Sequence, residues 1–201
     1  VMASVTRFIE GRMRLVVNRE KSAVARPEER HFLGFSLRRK PVEETVQVLM
    51  SRRSAERLDQ KIRELTPRSW GDRLERCIQR LNEYMRGWVG FFSVCTPGTE
   101  WFLRHRDTHL RVRLRAIVLK QWRSKRTRAR KLIQLGVRRQ TAWRCVYDGR
   151  KAILALAYSK AVERALSIAY FAKRGLCSLA ELWLSRSQHI TASRQLLLPL
   201  G

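Results

Sequence analysis

The stretch LERCIQRLNEYMRGWVGFF, residues 74–92, decides the fold class of this 201-residue chain. Its apolar residues recur at alternating spacings of four and three, which predicts one long helix with a continuous apolar stripe. We expect Trp88 and Phe92 to pack in a core rather than to stack on bases, and we attribute the adjacent Gly87 to close packing of helices. The stripe comprises Leu74, Ile78, Leu81, Met85, Trp88 and Phe92.

The same helical spacing extends over most of the chain. It predicts a helix around residues 58–65 that ends at Pro67, and another around residues 110–118. A further helix is expected around residues 132–135, with Gly136 at its end. Helical spacing therefore dominates the chain after residue 51.

The C-terminal part continues this pattern as far as Trp183. One helix is expected around residues 162–169, ended by Gly175. Ser178 begins a capping-box pattern, which predicts a last short helix through Trp183. We interpret residues 187–201 as a tail.

Strand patterns are confined to the first 50 residues. After a short helix that ends at Gly11, we expect strands at residues 15–17, 32–37 and 45–49. Three short strands are too few to close a sheet of their own. We therefore interpret them as the edge of a larger domain whose beginning is missing. The sequence predicts a mainly α fold preceded by a few β-strands.

The charge of the chain points to a polyanionic partner. Lys and Arg number 43 against 17 Asp and Glu, which gives a formal charge of +26. The hydrophobic fraction of 44% is too high for a disordered basic tail. A compact fold this cationic repels itself unless a polyanion such as RNA or DNA neutralises it.

The charge is concentrated between residues 104 and 139, where Asp107 is the one acidic residue. A helix with Arg111 and Arg115 on its polar side would present a positive ridge. Trp101, Trp122 and Trp143 lie in or beside this stretch, and two interpretations are open: core packing, or stacking on unpaired bases. The candidate RNA-binding residues are Arg104, Arg106, Arg111, Arg113, Arg115, Lys120, Arg123, Lys125, Arg126, Arg128, Arg130 and Lys131.

The sequence contains no pattern that predicts catalysis or metal binding. Its four cysteines are far apart without a CxxC motif, and its four aspartates are not clustered as a two-metal site requires. We interpret His105 and His109 as two polar residues on a basic face. The longest apolar run, residues 152–158, is too short to cross a membrane. These residues alone predict a binding module with no cofactor of its own.

Five segments together resemble one family. VNREKS (17–22), FLGF (32–35), LNEYMRGWVGFF (81–92), RLRAIVLKQW (113–122) and GLCSL (175–179) occur in this order and spacing. They resemble the C-terminal part of group II intron-encoded reverse transcriptase/maturases. The LNEYMRGWVGFF segment is highly specific, whereas FLGF alone would be weak.

The resemblance implies a domain organisation. Residues 1–50 would be the truncated end of the reverse transcriptase palm, and residues 51–100 the thumb and the start of the maturase-specific domain. Residues 101–186 would be maturase domain X with the basic RNA-binding region. The YADD motif, whose aspartates hold Mg²⁺ in the full-length family, is absent, so we expect this chain to be inactive as a polymerase on its own.

The resemblance also implies roles for two segments of the palm. Lys21 matches a palm-motif lysine that is proposed in related polymerases to protonate pyrophosphate, although without a palm we favour simple phosphate or solvent contact. Phe32, Leu33, Gly34 and Phe35 match the strand turn that supports the primer end.

The function implied is that of an RNA-binding maturase fragment. It would help a group II intron, a retroelement, reach its spliceable fold, and hold template–primer for RNA-directed DNA synthesis by the parent protein. The implied partners are group II intron RNA, an RNA–DNA template–primer and the missing N-terminal palm, without a membrane. We expect a bacterial cytoplasmic or nucleoid location, or an organellar one. The alternative is a generic basic DNA/RNA-binding protein without maturase activity.

Overall fold

The computed structural model describes residues 1–40, 45–96, 98–148 and 152–197, and divides the chain into two units, Val1–Ser51 and Arg52–Gly201. The described residues form ten α-helices, one short 3₁₀ helix and a three-stranded antiparallel sheet. All three strands lie in the first unit. The predicted fold class, mainly α with a few strands before the helices, is confirmed.

The first unit contains one helix and a small sheet. Helix α1 (Met2–Arg12) is followed by the 3₁₀ helix Pro27–Glu29 and by strands β1 (His31–Phe32), β2 (Phe35–Lys40) and β3 (Thr45–Met50). The strands pair antiparallel in the order β1-β2-β3.

Two of the strand predictions in this unit are wrong. Phe32 pairs with Phe35, so residues 32–37 do not form one strand but enclose a two-residue hairpin turn. Leu33 and Gly34 both have positive φ, 49° and 85°, as the favoured hairpin turns with two left-handed central residues require. Residues 15–17 form no strand. The strand expected at residues 45–49 is confirmed as β3.

The second unit is a helical assembly. Its helices are α2 (Arg52–Leu65), α3 (Leu74–Phe92), α4 (Thr99–Gln121), α5 (Lys125–Gln134), α6 (Arg139–Tyr147), α7 (Ile153–Ala157), α8 (Lys160–Ala165), α9 (Ile168–Ala172) and α10 (Leu179–Leu197). Helix α10 packs against α3 and α4, α7 packs against α4, and α5 packs against α6. Every residue of the predicted stripe on α3 is at most 9% exposed, so the stripe is the core face of that helix.

Two features of the C-terminal helices differ from the prediction. The single helix expected around residues 162–169 is divided into α8 and α9, because the Ser167 side chain accepts a hydrogen bond from the backbone N–H of Tyr170 and caps a new helix. Helix α10 continues past Trp183 to Leu197. Residues 187–197, which we expected to form a tail, are therefore helical.

The glycine expected at a helix contact is also a different one. Gly87 is exposed, and a Cβ atom built there would meet nothing within 4 Å. One turn later, a Cβ at Gly90 would lie 2.7 Å from the Arg186 Nη1 of α10. The close approach is therefore made at Gly90, and our explanation of Gly87 is wrong.

Three long-range hydrogen-bonded contacts attach α10 and the segment just before it to α3 and α4. The buried Asp107 carboxylate on α4 accepts from the Ser178 hydroxyl (2.6 Å) and from the backbone N–H groups of Leu179 (2.8 Å) and Ala180 (3.2 Å). A carboxylate at this position pairs with the free N–H groups and the positive dipole end of the helix. Asp107 is thus the N-terminal cap of a helix more than 70 residues away in sequence.

The other two contacts come from α3. The Asn82 side chain donates to the carbonyl oxygen of Gly175 (2.6 Å) and accepts from the N–H of Cys177 (3.0 Å). The Trp183 indole N–H donates to the carbonyl oxygen of Phe92 (3.2 Å). The sequence segments LNEYMRGWVGFF and GLCSL are therefore in direct contact in the fold.

Candidate nucleic-acid interface

The exposed side of α4 changes along its length. In the first half, Trp101, Arg104 and His105 are exposed to solvent. In the second half, Val112 and Arg115, which continue the same side of the helix, are buried, and α7 and α8 supply the contacts there. A continuous positive ridge along α4, as the sequence predicted, does not form.

Arg115 is the clearest departure from that prediction. Its side chain is 4% exposed, its Nε donates to the Leu166 carbonyl oxygen at 3.0 Å, and its Nη2 lies 3.4 Å from Glu163 Oε1. Leu166 is the C-terminal cap residue of α8, where backbone carbonyls lack helical partners. Burial lowers the pKa of the Arg115 guanidinium. The expectation that Arg115 lies on an exposed face is wrong.

Two more of the candidate arginines hold the ends of helices. The Nε of Arg113 donates to Thr66 Oγ1 (2.6 Å) and its Nη2 to the carbonyl oxygens of Thr66 (2.7 Å) and Arg63 (3.2 Å), at the C-terminus of α2. Burial lowers the pKa of Arg113 as well. Arg128 donates to the carbonyl oxygens of Leu119 (2.8 Å) and Arg123 (3.2 Å), at the C-terminus of α4. These cations satisfy carbonyl groups that a helix leaves without partners.

Arg106 forms a side-chain ion pair within the fold. Its Nε and Nη2 donate to the two carboxylate oxygens of Asp59 at 3.2 Å and 3.0 Å, and its guanidinium lies 3.7 Å from the centre of the Phe102 ring. This two-pronged geometry joins α4 to α2. Arg106, Arg113, Arg115 and Arg128 therefore have structural partners inside the protein.

The remaining candidates are exposed or partly exposed, and all of them except Arg104 and Arg111 lie at the end of α4 or on α5. Arg104, Lys120, Arg123, Lys125, Arg126, Arg130 and Lys131 are exposed, and Arg111 is partly exposed. The structure brings α5 against α6, which adds exposed cations outside the candidate set. We name as the α5–α6 basic surface the residues Lys125, Arg126, Arg130, Lys131, Arg138, Arg139 and Arg144.

This surface carries almost no opposing charge. The sequence has no Asp or Glu from Thr108 to Tyr147. Among the described residues, the ion pairs of the second unit lie on other elements. Mixed charges would serve solubility better than a field of one sign. The α5–α6 basic surface therefore fits an extended polyanion.

A cleft of about 320 Å³ lies at the C-terminal end of α4. The Gln121 side chain donates to the Asp72 carbonyl oxygen at 2.9 Å, which holds this end of α4 against the segment between α2 and α3. Lys120 and Arg123 line the cleft beside Trp70, Ser69 and Gly71. Sequence reasoning missed Trp70, because it lies outside the basic stretch.

Residues 55–135 match the family model of the group II intron maturase-specific domain. This match supports a group II intron maturase C-terminal region. The match runs from α2 to the C-terminal cap of α5, and therefore includes the predicted thumb helix α3. It ends before α6. Asn82 and Asp107 lie within the match, but the residues that they contact, Cys177 and Leu179, lie beyond it. No curated protein matches the chain.

The tryptophans divide between the two interpretations that the sequence left open, core packing and exposure to a ligand. Trp88 is buried, 9% exposed, as expected for the core of α3. Trp122 and Trp143 are half-buried, and the Trp143 ring stacks on Tyr147 with centroids 5.2 Å apart. Trp101 is 76% exposed, so core packing does not account for it.

The residues that resemble the palm lie in the first unit, Val1–Ser51. Lys21 is exposed at a turn, where its backbone N–H donates to the carbonyl and side-chain oxygens of Asn18 (3.2 Å and 3.1 Å). Phe32 and Leu33 are 73% and 68% exposed at the β1–β2 turn. Gly34 and Phe35 are partly exposed beside them. The roles that the resemblance implies for these residues stay predictions.

Among the described residues, no group of three His, Cys, Asp or Glu side chains could hold a metal ion. Three of the four aspartates have partners within the fold instead: Asp59 binds Arg106, Asp72 binds Arg76, and Asp107 caps α10. These carboxylates do not fit the paired Mg²⁺ ions of a polymerase palm. In the part of the chain that the structure describes, no helix is long and apolar enough to span a membrane.

Proposed function

We propose that this chain is the RNA-binding part of a group II intron maturase and that it stabilises the splicing-competent fold of the intron RNA. The observation that supports the proposal most directly is the α5–α6 basic surface, whose α5 residues lie within the region that matches the maturase-specific domain. Cations on packed helices already have their backbone positions fixed before RNA binds. The entropic cost of ordering them on binding is therefore small.

Phosphate contacts account for the affinity, and the shape of the surface accounts for selectivity. Each phosphate that a Lys or Arg neutralises releases condensed counterions, which makes binding favourable and salt-dependent. A protein that binds one RNA conformation better than the others shifts the population towards it. The RNA then performs splicing itself, and Asp59, Asp72 and Asp107 are engaged in contacts within the protein.

The same surface would hold template–primer when the chain acts with a reverse transcriptase palm. An RNA–DNA hybrid presents the same phosphate charges to the α5–α6 basic surface as a folded RNA does. In this role the Mg²⁺ ions and the polymerase aspartates are supplied by the palm, and this chain contributes binding.

Filter binding across a series of salt concentrations tests the proposal. The protein is the full chain, and the probes are a group II intron RNA, an unrelated structured RNA and duplex DNA. If about six side chains meet phosphates, log affinity falls against log salt with a slope near −4 to −5. We expect the slope to become shallower by about 3 when four cations are neutralised to Gln. The four cations are Arg126, Arg130, Lys131 and Arg139.

A control variant removes the same charge elsewhere. It carries Gln at four exposed cations outside α4, α5 and α6, and we expect its slope to stay close to that of the wild type. The control positions are Arg53, Arg57, Arg80 and Lys173. Equal loss in both variants would mean that net charge alone drives binding. Duplex DNA bound as tightly as intron RNA would favour the generic basic nucleic-acid-binding protein instead.

A further inference from the structure

Trp101 is the most exposed large aromatic side chain in the second unit, at 76%. It lies in the first turn of α4, and its ring stacks on the His105 ring with centroids 6.3 Å apart and planes 18° from parallel. Water is a poor environment for an indole of this size, so an indole that the fold leaves outside the core is well suited to a ligand.

Cationic and polar side chains accompany Trp101 along the same side of α4. Residues three and four positions apart share one side of a helix, which places Arg104, His105 and Thr108 beside Trp101. Arg104 is 63% exposed and its Nε donates to Glu100 Oε1 (2.6 Å), and Arg111 Nη2 donates to Thr108 Oγ1 at 3.0 Å. We name Trp101, Arg104, His105, Thr108 and Arg111 the α4 aromatic strip.

We propose that the α4 aromatic strip binds an unpaired nucleotide of the RNA, with its base stacked on the Trp101 indole and the phosphates on either side of it contacting Arg104 and Arg111. This inference rests on the proposed function, because the nucleotide belongs to the RNA that the α5–α6 basic surface binds. It adds a second mode of recognition, which phosphate contacts cannot supply.

Two observations favour a nucleotide over another protein as the occupant. The strip combines one aromatic stack with two guanidinium groups, and a nucleotide combines a base with phosphates. The chain carries a charge of +26, so a second copy of it would be repelled here. An indole can stack on any base, but only on a base that is not paired within a helix. The strip therefore distinguishes unpaired from paired nucleotides and does not distinguish sequences.

The test compares two RNA probes, a short fully paired duplex and the same duplex with one bulged nucleotide. The full chain is used at several salt concentrations. We expect the wild type to prefer the bulged probe by roughly fivefold or more, and Trp101→Ala to bind both probes equally. Trp101→Phe should keep most of the preference, because it retains an aromatic face. Trp101→Leu should lose it, because apolar area alone does not replace the ring.

Matched controls separate this inference from the proposed function. Tyr158→Ala removes another exposed aromatic ring, 58% exposed, and should leave the preference intact. A wild type that binds both probes equally, or a Trp101→Leu variant that keeps the preference, overturns the inference alone. A wild type that binds neither probe overturns the proposed function as well. Loss of self-association in Trp101→Ala, with RNA binding unchanged, would mean that the strip contacts protein.

Discussion

Replacement of Asp107 by Asn tests whether one buried carboxylate holds α10 in place. Asp107 Oδ1 accepts from the N–H of Leu179, and Oδ2 accepts from the Ser178 hydroxyl and the N–H of Ala180. An Asn side chain keeps one oxygen but turns an NH₂ group towards at least one of these donors. It also removes the negative charge at the N-terminus of α10.

The expected loss in the free energy of unfolding is about 3 kcal/mol. A hydrogen bond to a charged group contributes about 1.5–3 kcal/mol, and the helix-dipole interaction contributes about 0.3–1 kcal/mol more. Water cannot restore the lost contact, because Asp107 is 4% exposed. The charge change itself is small beside the +26 of the chain.

Urea denaturation of the full chain, followed by helical circular dichroism, measures this loss. Glu100→Gln is the matched control, because it removes one negative charge from the same helix at an exposed i,i+4 pair with Arg104. That change should cost no more than about 0.5 kcal/mol. If the two variants lose the same small amount, Asp107 does not cap α10 and our account of the helix contact is wrong.

Three further predictions concern the α3 helix and the buried thiols. Gly87→Ala should raise the free energy of unfolding by about 0.5–1 kcal/mol in urea denaturation, because the site is helical and open; a large loss would contradict the packing described here. Trp88→Ala should lower it by about 3–5 kcal/mol, since the ring is buried against Phe92 with centroids 4.5 Å apart, and an unchanged midpoint would place Trp88 outside the core. Burial raises the pKa of the Cys77 and Cys95 thiols to about 11, so both should react with iodoacetamide near neutral pH only after unfolding. Peptide mass spectrometry checks this, and labelling of either thiol in the native protein would refute it.

Apolar periodicity predicted the helical core because apolar residues spaced three and four apart lie on the side of a helix that is buried on folding. All six predicted residues of the α3 stripe are buried. The β1–β2 turn escaped prediction because its first left-handed residue, Leu33, is not a residue type that signals a turn. In that segment the apolar alternation is compatible with either one strand or a hairpin.

The roles of the arginines could not be predicted from sequence for a different reason. Arg111, Arg113 and Arg115 alternate along one helix, yet each has a different environment. Arg113 bonds to α2, Arg115 bonds to α8, and Arg111 bonds to Thr108 on its own helix. Arg113 and Arg115 bind backbone carbonyls around 50 residues away, which have no signature in residue type. The sequence showed that the positive charge is concentrated in this stretch. It did not show which arginines bind groups within the protein and which remain exposed.

The contacts that hold the start of α10 affect the order in which the protein can form during synthesis. Asn82 and Asp107 leave the ribosome 93 and 72 residues before the Gly175 and Leu179 groups that they bind. Until those groups emerge, a nascent chain has a solvated carboxylate on α4 and no α10 to cover the apolar side of α3. All of α5 and α6 has been made by then. A growing chain therefore carries the α5–α6 basic surface before its core is closed, and the apolar side of α3 stays exposed during that interval.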